Sequence, residues 1–414
     1  MRNILILSTL LLSGAALAKS AADFPPDEAV ALAIEDHPQV QAALARADAA
    51  RQNARALRVG AYEFTVSGSY DRRRIDREGQ YDEYDAALER PIRLPGKASL
   101  DRKAGDFGIA ASDYRAADVR HRITLLVSDL WLDWLAAEAE VKIAEAAVSN
   151  LSSALQGVER QVAVQDAAVA DYDRATAARA TAQVELAKGR ARAEIAKSRL
   201  AVQFPSLPLP VVAPDLPEPV LPAHGLEGLR DLVTVQNHEV HGAQAEADRQ
   251  STLAARANKD RIPDPTIGLR LFSERGGAER GAGVVASIPL GGRHRSALAG
   301  QAEAEARAAS AELIAARFTA HETATSDYVE ASNNWRAWQS SQTARASSES
   351  AANRLRQGHR LGGIDLTDLL FAERQAQDAA RAENAARAAA LRSIARLRID
   401  AHDLWPSNHD GVGK

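Results

Sequence analysis

Residues 61–72 read AYEFTVSGSYDR. In an extended chain Tyr62, Phe64, Val66, Gly68 and Tyr70 share one face, and Glu63, Thr65, Ser67, Ser69 and Asp71 share the other. Period two with one apolar and one polar face predicts a β-strand. The pattern returns in YDEYDAALERPI (81–92), where Tyr84, Ala86, Leu88 and Ile92 oppose Glu83, Asp85 and Glu89. The charged stretch RRRIDREGQ (72–80) between them reads as a hairpin connection. Far downstream a second pair follows: TIGLRLFS (266–273), with Ile267, Leu269 and Leu271 on one face, and AGVVASIPL (282–290), with Val284, Ala286, Ile288 and Leu290 on one face. Four amphipathic strands are therefore expected in a chain of 414 residues.

The rest is helical in character. No proline occurs between Pro95 and Pro205 or between Pro289 and Pro406, and both gaps are rich in Ala, Glu, Arg, Leu and Gln, all strong helix formers. A helix of roughly 100 residues would span about 150 Å, so each run is expected to fold back into arms of roughly 70–80 Å. The fold-back points are expected near QVAVQDAAVAD (161–171) and RQGHRLGGIDLTD (356–368), where Gly358, Gly362 and Gly363 interrupt the second pattern. Between the runs, FPSLPLPVVAPDLPEPVLP (204–222) reads as an extended connector rather than a packed element.

The halves look duplicated. PIRLPGK (91–97) matches SIPLGGR (287–293) through Ile92/Ile288, Leu94/Leu290, Gly96/Gly292 and Lys97/Arg293. HPQVQAALARADAA (37–50) matches NHEVHGAQAEADRQ (237–250), and Asp171 and Ala175 match Asp368 and Ala372. Their common order and near-constant offset predict an internal repeat. Pro91, Gly96 and Lys97 then mark one strand-to-helix turn, and Pro289, Gly292 and Arg293 the other. The expected organisation is a leader at 1–18, a first repeat at 19–203, the proline-rich linker at 204–222, a second repeat at 223–405 and a tail at 406–414.

Arg2, the apolar run ILILSTLLLSGAAL and Ala16-Leu17-Ala18 have the layout of a secretory signal peptide. The chain lacks cysteine, and its net charge of -4 comes without the basic patch that nucleic acid requires. After residue 18 no apolar stretch approaches the length of a membrane-spanning helix. A membrane location would therefore rest on strands. Open sheet edges are not tolerated in lipid, and four strands are too few to close a bacterial barrel. Association of several chains resolves this, and three copies would supply twelve strands. Tyr62, Tyr70, Tyr81 and Tyr84 fit an interfacial girdle or ordinary packing equally well. No GxSxG, HExxH or Walker loop is present. The scattered histidines give no metal site, so neither an enzyme nor a cofactor is expected.

The order of elements, the duplication and HRLGGIDLTDLLFAERQAQDA (359–379) resemble the TolC-like outer-membrane efflux family. Gly362 matches the tip glycine of that family, Asp368 its aspartate, Leu369-Leu370 its apolar pair and Ala372-Glu373-Arg374 the end of the motif; His359 stands where an aromatic is usual. In the first half Asp171 matches the aspartate, and Gln165 stands at the glycine position. The resemblance implies a mainly α fold with a small β part, in which a homotrimer closes a twelve-stranded outer-membrane β-barrel continuous with a periplasmic α-helical barrel. It implies surrounding outer-membrane lipid, a periplasmic adaptor (membrane fusion) protein and an inner-membrane pump of the RND type as partners. The implied role is the exit duct of a tripartite efflux pump for metal cations or drugs. The turn PI-x-L-x-GK and the short chain look most like the cobalt–zinc–cadmium branch.

By the same resemblance Asp368 is a pore-gate residue, with Asp365 one helical turn before it. His359, Gly362, Gly363, Gln165 and Asp171 form the hairpin tips that meet an adaptor. Helix capping is the competing reading of both gate aspartates, since the helix dipole favours acids there. The duct of a type I protein secretion system, a periplasmic adaptor and a coiled-coil scaffold are the alternatives at the level of the whole chain.

Overall fold

Proline and glycine set the limits of the elements. The computed structural model describes residues 24–405, so the expected leader at 1–18 and the tail at 406–414 lie outside the described residues. The order is α1 (Asp27–Glu35), α2 (Pro38–Val59), β1 (Thr65–Ile75), β2 (Gly79–Pro91), α3 (Lys97–Ala163), α4 (Val169–Gln203), α5 (Gly225–Val235), α6 (His238–Lys259), β3 (Thr266–Glu274), β4 (Glu279–Ser287), α7 (Arg293–Arg360) and α8 (Leu366–Asp400). The repeat is explicit in these lengths. The helices α2 and α6 have 22 residues each, α3 and α7 have 67 and 68, and α4 and α8 have 35 each. Even the caps correspond: His37 Nδ1 accepts the Gln39 N–H at 3.3 Å, and Asn237 Oδ1 accepts the Val240 N–H at 2.9 Å.

Both fold-back points lie where the sequence placed them, at 164–168 and 361–365. The arms are unequal, however. At about 1.5 Å per residue the outgoing helix spans about 100 Å and the returning one about 52 Å, against the expected 70–80 Å for both. The reason is packing. One part of α3 is already covered by α2, so α4 returns only along the remainder; α6 and α8 divide α7 in the same way. Small residues permit the close approach: a Cβ added at Gly105 would lie 3.0 Å from the Ala54 Cβ. The halves are not separate bodies, since α3 also packs on α6 and α8.

The linker departs from expectation. It lacks regular structure, yet Phe204, Leu207 and Leu216 are buried in the principal core with Trp131, Trp134, Leu135 and Leu200. Proline has no backbone N–H, so an extended proline-rich segment can lie on an apolar surface with fewer donors left unsatisfied. Polar clamps hold it there: Lys142 pairs with Asp215, and Arg387 Nη1 donates to the Leu216 carbonyl at 3.3 Å.

The four strands form one antiparallel sheet in the order β1-β2-β3-β4, so the halves join through β2 and β3. Strand β1 begins at Thr65, which leaves Tyr62 in the preceding loop. The outer edges of β1 and β4 have no strand partner among the described residues.

Phe204 tests whether the linker is structural. Phe204→Ala is expected to lower stability by about 3–4 kcal/mol, as for other fully buried aromatics, read as an earlier thermal transition in detergent. A linker acting only as a spacer would tolerate the change.

Candidate functional site

The sheet register converts the alternating pattern into two continuous faces. Val66 lies opposite Leu88, Leu88 opposite Leu269, and Leu269 opposite Val284. The next row runs Gly68, Ala86, Leu271, Ala282. None of the described residues covers this apolar face: Val66 is 77% exposed, Leu269 61% and Val284 80%. The opposite face carries Thr65 and Glu89, then Ser67, Ala87, Arg270 and Gly283, then Ser69, Asp85 and Phe272. Asp85 and Arg270 form an ion pair across β2 and β3. At the hairpin end Tyr70 and Tyr84 pair with ring centroids 5.4 Å apart, and the Tyr70 hydroxyl donates to Asp82 at 2.8 Å. Tyr62 sits at the helical end, where its hydroxyl donates to Asp264 at 2.6 Å.

The two strand-to-helix turns share a sequence pattern but not an environment. Pro91 is the last residue of β2, paired with Thr266, and Gly96 takes a left-handed φ of 83° before α3. Lys97 then enters the protein and is only 1% exposed. Its Nζ donates to the Ile262 carbonyl at 2.8 Å and to Asp264 at 2.8 Å, with Asp260 at 2.9 Å. Asp264 also accepts the Leu94 N–H at 2.9 Å. Burial pushes Asp264 and Asp260 up, but the hydrogen bonds from Lys97, Tyr62 and Arg256 more than offset it and hold both below the usual carboxylate range. Burial and the bond to Asp264 push the Tyr62 hydroxyl up to about 12. The basic residue of the first turn is thus a buried lock between the halves. Pro289, Gly292 and Arg293 are exposed by contrast. That turn touches the same loop only through its neighbours: Arg295 Nη1 donates to the Asp260 carbonyl at 3.0 Å, and a Cβ at Gly291 would meet the Arg261 carbonyl oxygen at 2.5 Å.

The tips divide the two proposed gate residues. Asp365 is the N-cap of α8, and its Oδ1 accepts the Asp368 N–H at 2.8 Å. Asp368 stands in the first turn of α8 with its side chain exposed. His359 Nδ1 donates to the Ile364 carbonyl at 2.9 Å, Gly363 N–H to the Gly358 carbonyl at 2.9 Å, and Gly362 has a φ of 76°. In the first tip Gln165, 197 residues before Gly362, takes the same left-handed conformation with a φ of 63°. Its helix α4 is capped by Ala168, which offers no side-chain acceptor, and Asp171 pairs with Arg174 at 3.2 Å. The tips are joined through Leu155, Val158, Ala175, Leu366 and Leu369. Behind them the buried Glu373 binds Arg356 and accepts from Asn150 at 3.3 Å.

A buried acidic pair further along the helices has no sequence signature. Asp327 on α7 and Asp400 on α8 are both buried, and His121 Nε2 on α3 donates to Asp400 at 2.7 Å. Burial, followed by the Asp400 carboxyl, pushes Asp327 up to about 7, against the lowering influence of Arg396. Asp327 Oδ2 has no hydrogen-bond donor among the described residues, which fits a carboxyl that burial favours in its neutral form. Among the described residues no three His, Asp or Glu side chains converge in a way that suits a metal ion.

No family profile matches the sequence, and no curated protein is similar to it. Solved structures do match its fold. A membrane protein from Pseudomonas aeruginosa superposes with a TM-score of 0.78 at 16% identity, covering 94% of this chain and 92% of its own. The Campylobacter jejuni CmeC outer membrane channel gives 0.76 at 14% identity, covering 99% and 96%. The outer-membrane channel OprN gives 0.72 at 20% identity, covering 92% and 90%.

Three outcomes check this geometry. Lys97→Met removes the cation that pairs with the partly buried Asp264 and is expected to cost about 3–5 kcal/mol, whereas Arg293→Ala is expected to shift the stability of the single chain by under about 0.5 kcal/mol; thermal unfolding compares them. Because the folded pKa values of Asp260 and Asp264 are depressed, their stabilisation is present above the ordinary carboxylate range and is lost as the pH falls through the folded values. Asp327 has the opposite sign. Its folded pKa of about 7 exceeds the ordinary 3.8, so its contribution is full at low pH and falls as the pH rises through that window. Asp327→Asn is therefore expected to stabilise by on the order of 1–2 kcal/mol at pH 8 and by less at pH 5. Architecture, duplication and strand order together give this chain the fold of the outer-membrane channels.

Proposed function

We propose that this protein is the outer-membrane exit duct of a tripartite efflux pump. One observation carries the reading: a four-stranded sheet with an exposed apolar face and two open edges, attached directly to helices about 100 Å long. In lipid the apolar face meets acyl chains, and the open edges must pair with another copy. Three copies close twelve strands, with Ser67, Asp85 and Arg270 facing a wet lumen. The helices extend the duct through the periplasm. An inner-membrane RND pump supplies the energy and a periplasmic adaptor grips the tips, so this chain does no covalent chemistry and is not an enzyme.

Asp368 is the residue proposed to gate the inner end. Asp365 serves the helix terminus, so its neighbour is the carboxylate free to face the axis. Threefold symmetry turns one exposed Asp368 per chain into an acidic ring, which favours cations and holds the constriction sensitive to salt. His359, Gly362, Gly363, Gln165 and Asp171 shape the tip surfaces offered to the adaptor. The turn PI-x-L-x-GK supports heavy-metal cations as cargo over organic drugs. Cargo passes without being bound, since a duct that held its substrate would block itself.

Fractionation tests the whole reading: the chain is expected in the outer membrane, released only by detergent and as a trimer. A soluble periplasmic monomer would refute it. Asp368→Ala is expected to raise single-channel conductance or relieve cation block in planar bilayers, while a channel indistinguishable from wild type would remove the gate assignment. Loss of tolerance to zinc, cobalt or cadmium on deletion, with drug tolerance intact, is the outcome expected for the metal branch.

A further inference from the structure

The apolar face of the sheet does not end cleanly at the helices. Where it meets them there is a groove of about 690 Å³. It is lined by Leu88, Leu269 and Val284 of the exposed apolar row and by Phe64 just before β1, itself 63% exposed. Three arginines also line it: Arg58 of α2, Arg90 near the end of β2 and Arg93 in the turn that follows.

The three arginines differ. Arg93 is held inside the protein: it donates to the Val59 carbonyl at 2.5 Å, lies 3.5 Å from Asp101, and covers the Tyr62 ring at 4.5 Å. Arg58 pairs with Asp106 at 3.2 Å, but both side chains are more than half exposed. Arg90 is the outlier. By register it lies opposite Ile267, on the apolar face in line with Leu88. Its Nε donates to the Tyr62 carbonyl at 2.9 Å and its guanidinium stacks on Phe64 at 4.8 Å. Those contacts orient it along the groove and leave its two terminal amino groups available, with no carboxylate partner among the described residues.

A guanidinium on a lipid-facing surface is costly at mid-bilayer and inexpensive only near the boundary. A fixed arginine there, above an apolar trough and beside a second exposed arginine, matches a molecule with an anionic head and an apolar tail. Phosphate oxygens suit the planar fork of arginine. We propose that this groove binds an anionic phospholipid of the periplasmic leaflet, its phosphate between Arg90 and Arg58 and an acyl chain along Phe64, Leu88 and Leu269. The bound lipid neutralises the arginine pair and seals the junction between sheet and helices. The inference rests on the reading of the sheet as a membrane wall.

The test uses the full chain extracted in detergent, with dioleoylphosphatidylglycerol titrated and retained lipid read by native mass spectrometry. Wild type is expected to keep one lipid per chain. The Arg58→Gln, Arg90→Gln double variant is expected to bind it about tenfold more weakly, and Arg280→Gln, at the far end of β4, is expected to bind it as wild type does. Leu269→Trp fills the trough with both arginines intact and is expected to expel the lipid, which covers the case in which the double variant fails to assemble. Equal retention by the double variant or by Leu269→Trp would overturn the proposal. So would equal binding of dioleoylglycerol, which lacks the phosphate, or displacement by inorganic phosphate. If the membrane-wall reading itself fails, the wild-type chain is soluble without detergent, an outcome distinct from an extracted oligomer that binds no lipid.

Discussion

Backbone hydrogen bonding at the edges of a four-stranded sheet governs this structure. Each edge presents N–H and C=O groups that water would satisfy and lipid cannot. The apolar face argues for lipid: Val66, Leu88, Leu269 and Val284 form a continuous row that none of the described residues covers. A single chain therefore cannot satisfy its own sheet in a membrane. Under the exit-duct reading the strand count obliges the chain to pair with further copies, and the long helices follow the strands into the same ring.

Duplication supplies the geometry, and the seam inside one chain shows how two units meet. At that seam Lys97 is buried against Asp260 and Asp264 from the opposite half, and Arg256 reaches Asp101 at 2.6 Å. Removing one member of such a network leaves a buried charge short of a partner, and that cost exceeds the net worth of the intact pair. The second turn lies at the open edge, and Arg293 there is exposed. The same motif thus occupies the internal seam once and an exposed position beside the outer edge of the sheet once. That explains why a pattern with Gly and a basic residue is written twice while its flanking residues differ.

Much of this was legible in the sequence because it rests on periodicity. The alternation of Tyr62 to Asp71, the proline-free runs and the repeated turn are one-dimensional signals, and the strands, long helices and fold-back points followed from them. What was not legible depends on partners far apart in the chain. Nothing in PIRLPGK says that its lysine is buried by aspartates some 165 residues later, although two Asp residues bracketing Ile-Pro in DRIPDP (260–265) were a usable hint. Asp327 and Asp400 sit in helical stretches whose surroundings give no sign of burial. The unequal arms were missed because α2 and α6, read as separate leading helices, in fact cover part of the long ones. The packing of the linker onto the core is not legible because proline content reports extended backbone, not exposure. The resemblance favours Asp368 over Asp365, while capping competes for both; the cap geometry assigns the capping role to Asp365.

A closed ring of three copies requires β1 of one copy to pair with β4 of the next. The absence of native cysteine makes this directly measurable. Cysteines placed at Ser67 on β1 and, in turn, at Gly283 or Val285 on β4 share the lumen-side face, and cross-strand neighbours there come within about 5 Å. Oxidation in the outer membrane is expected to yield covalent dimers and trimers and nothing larger. Monomers alone across the whole scan, or ladders extending beyond three, would contradict a closed ring of three copies.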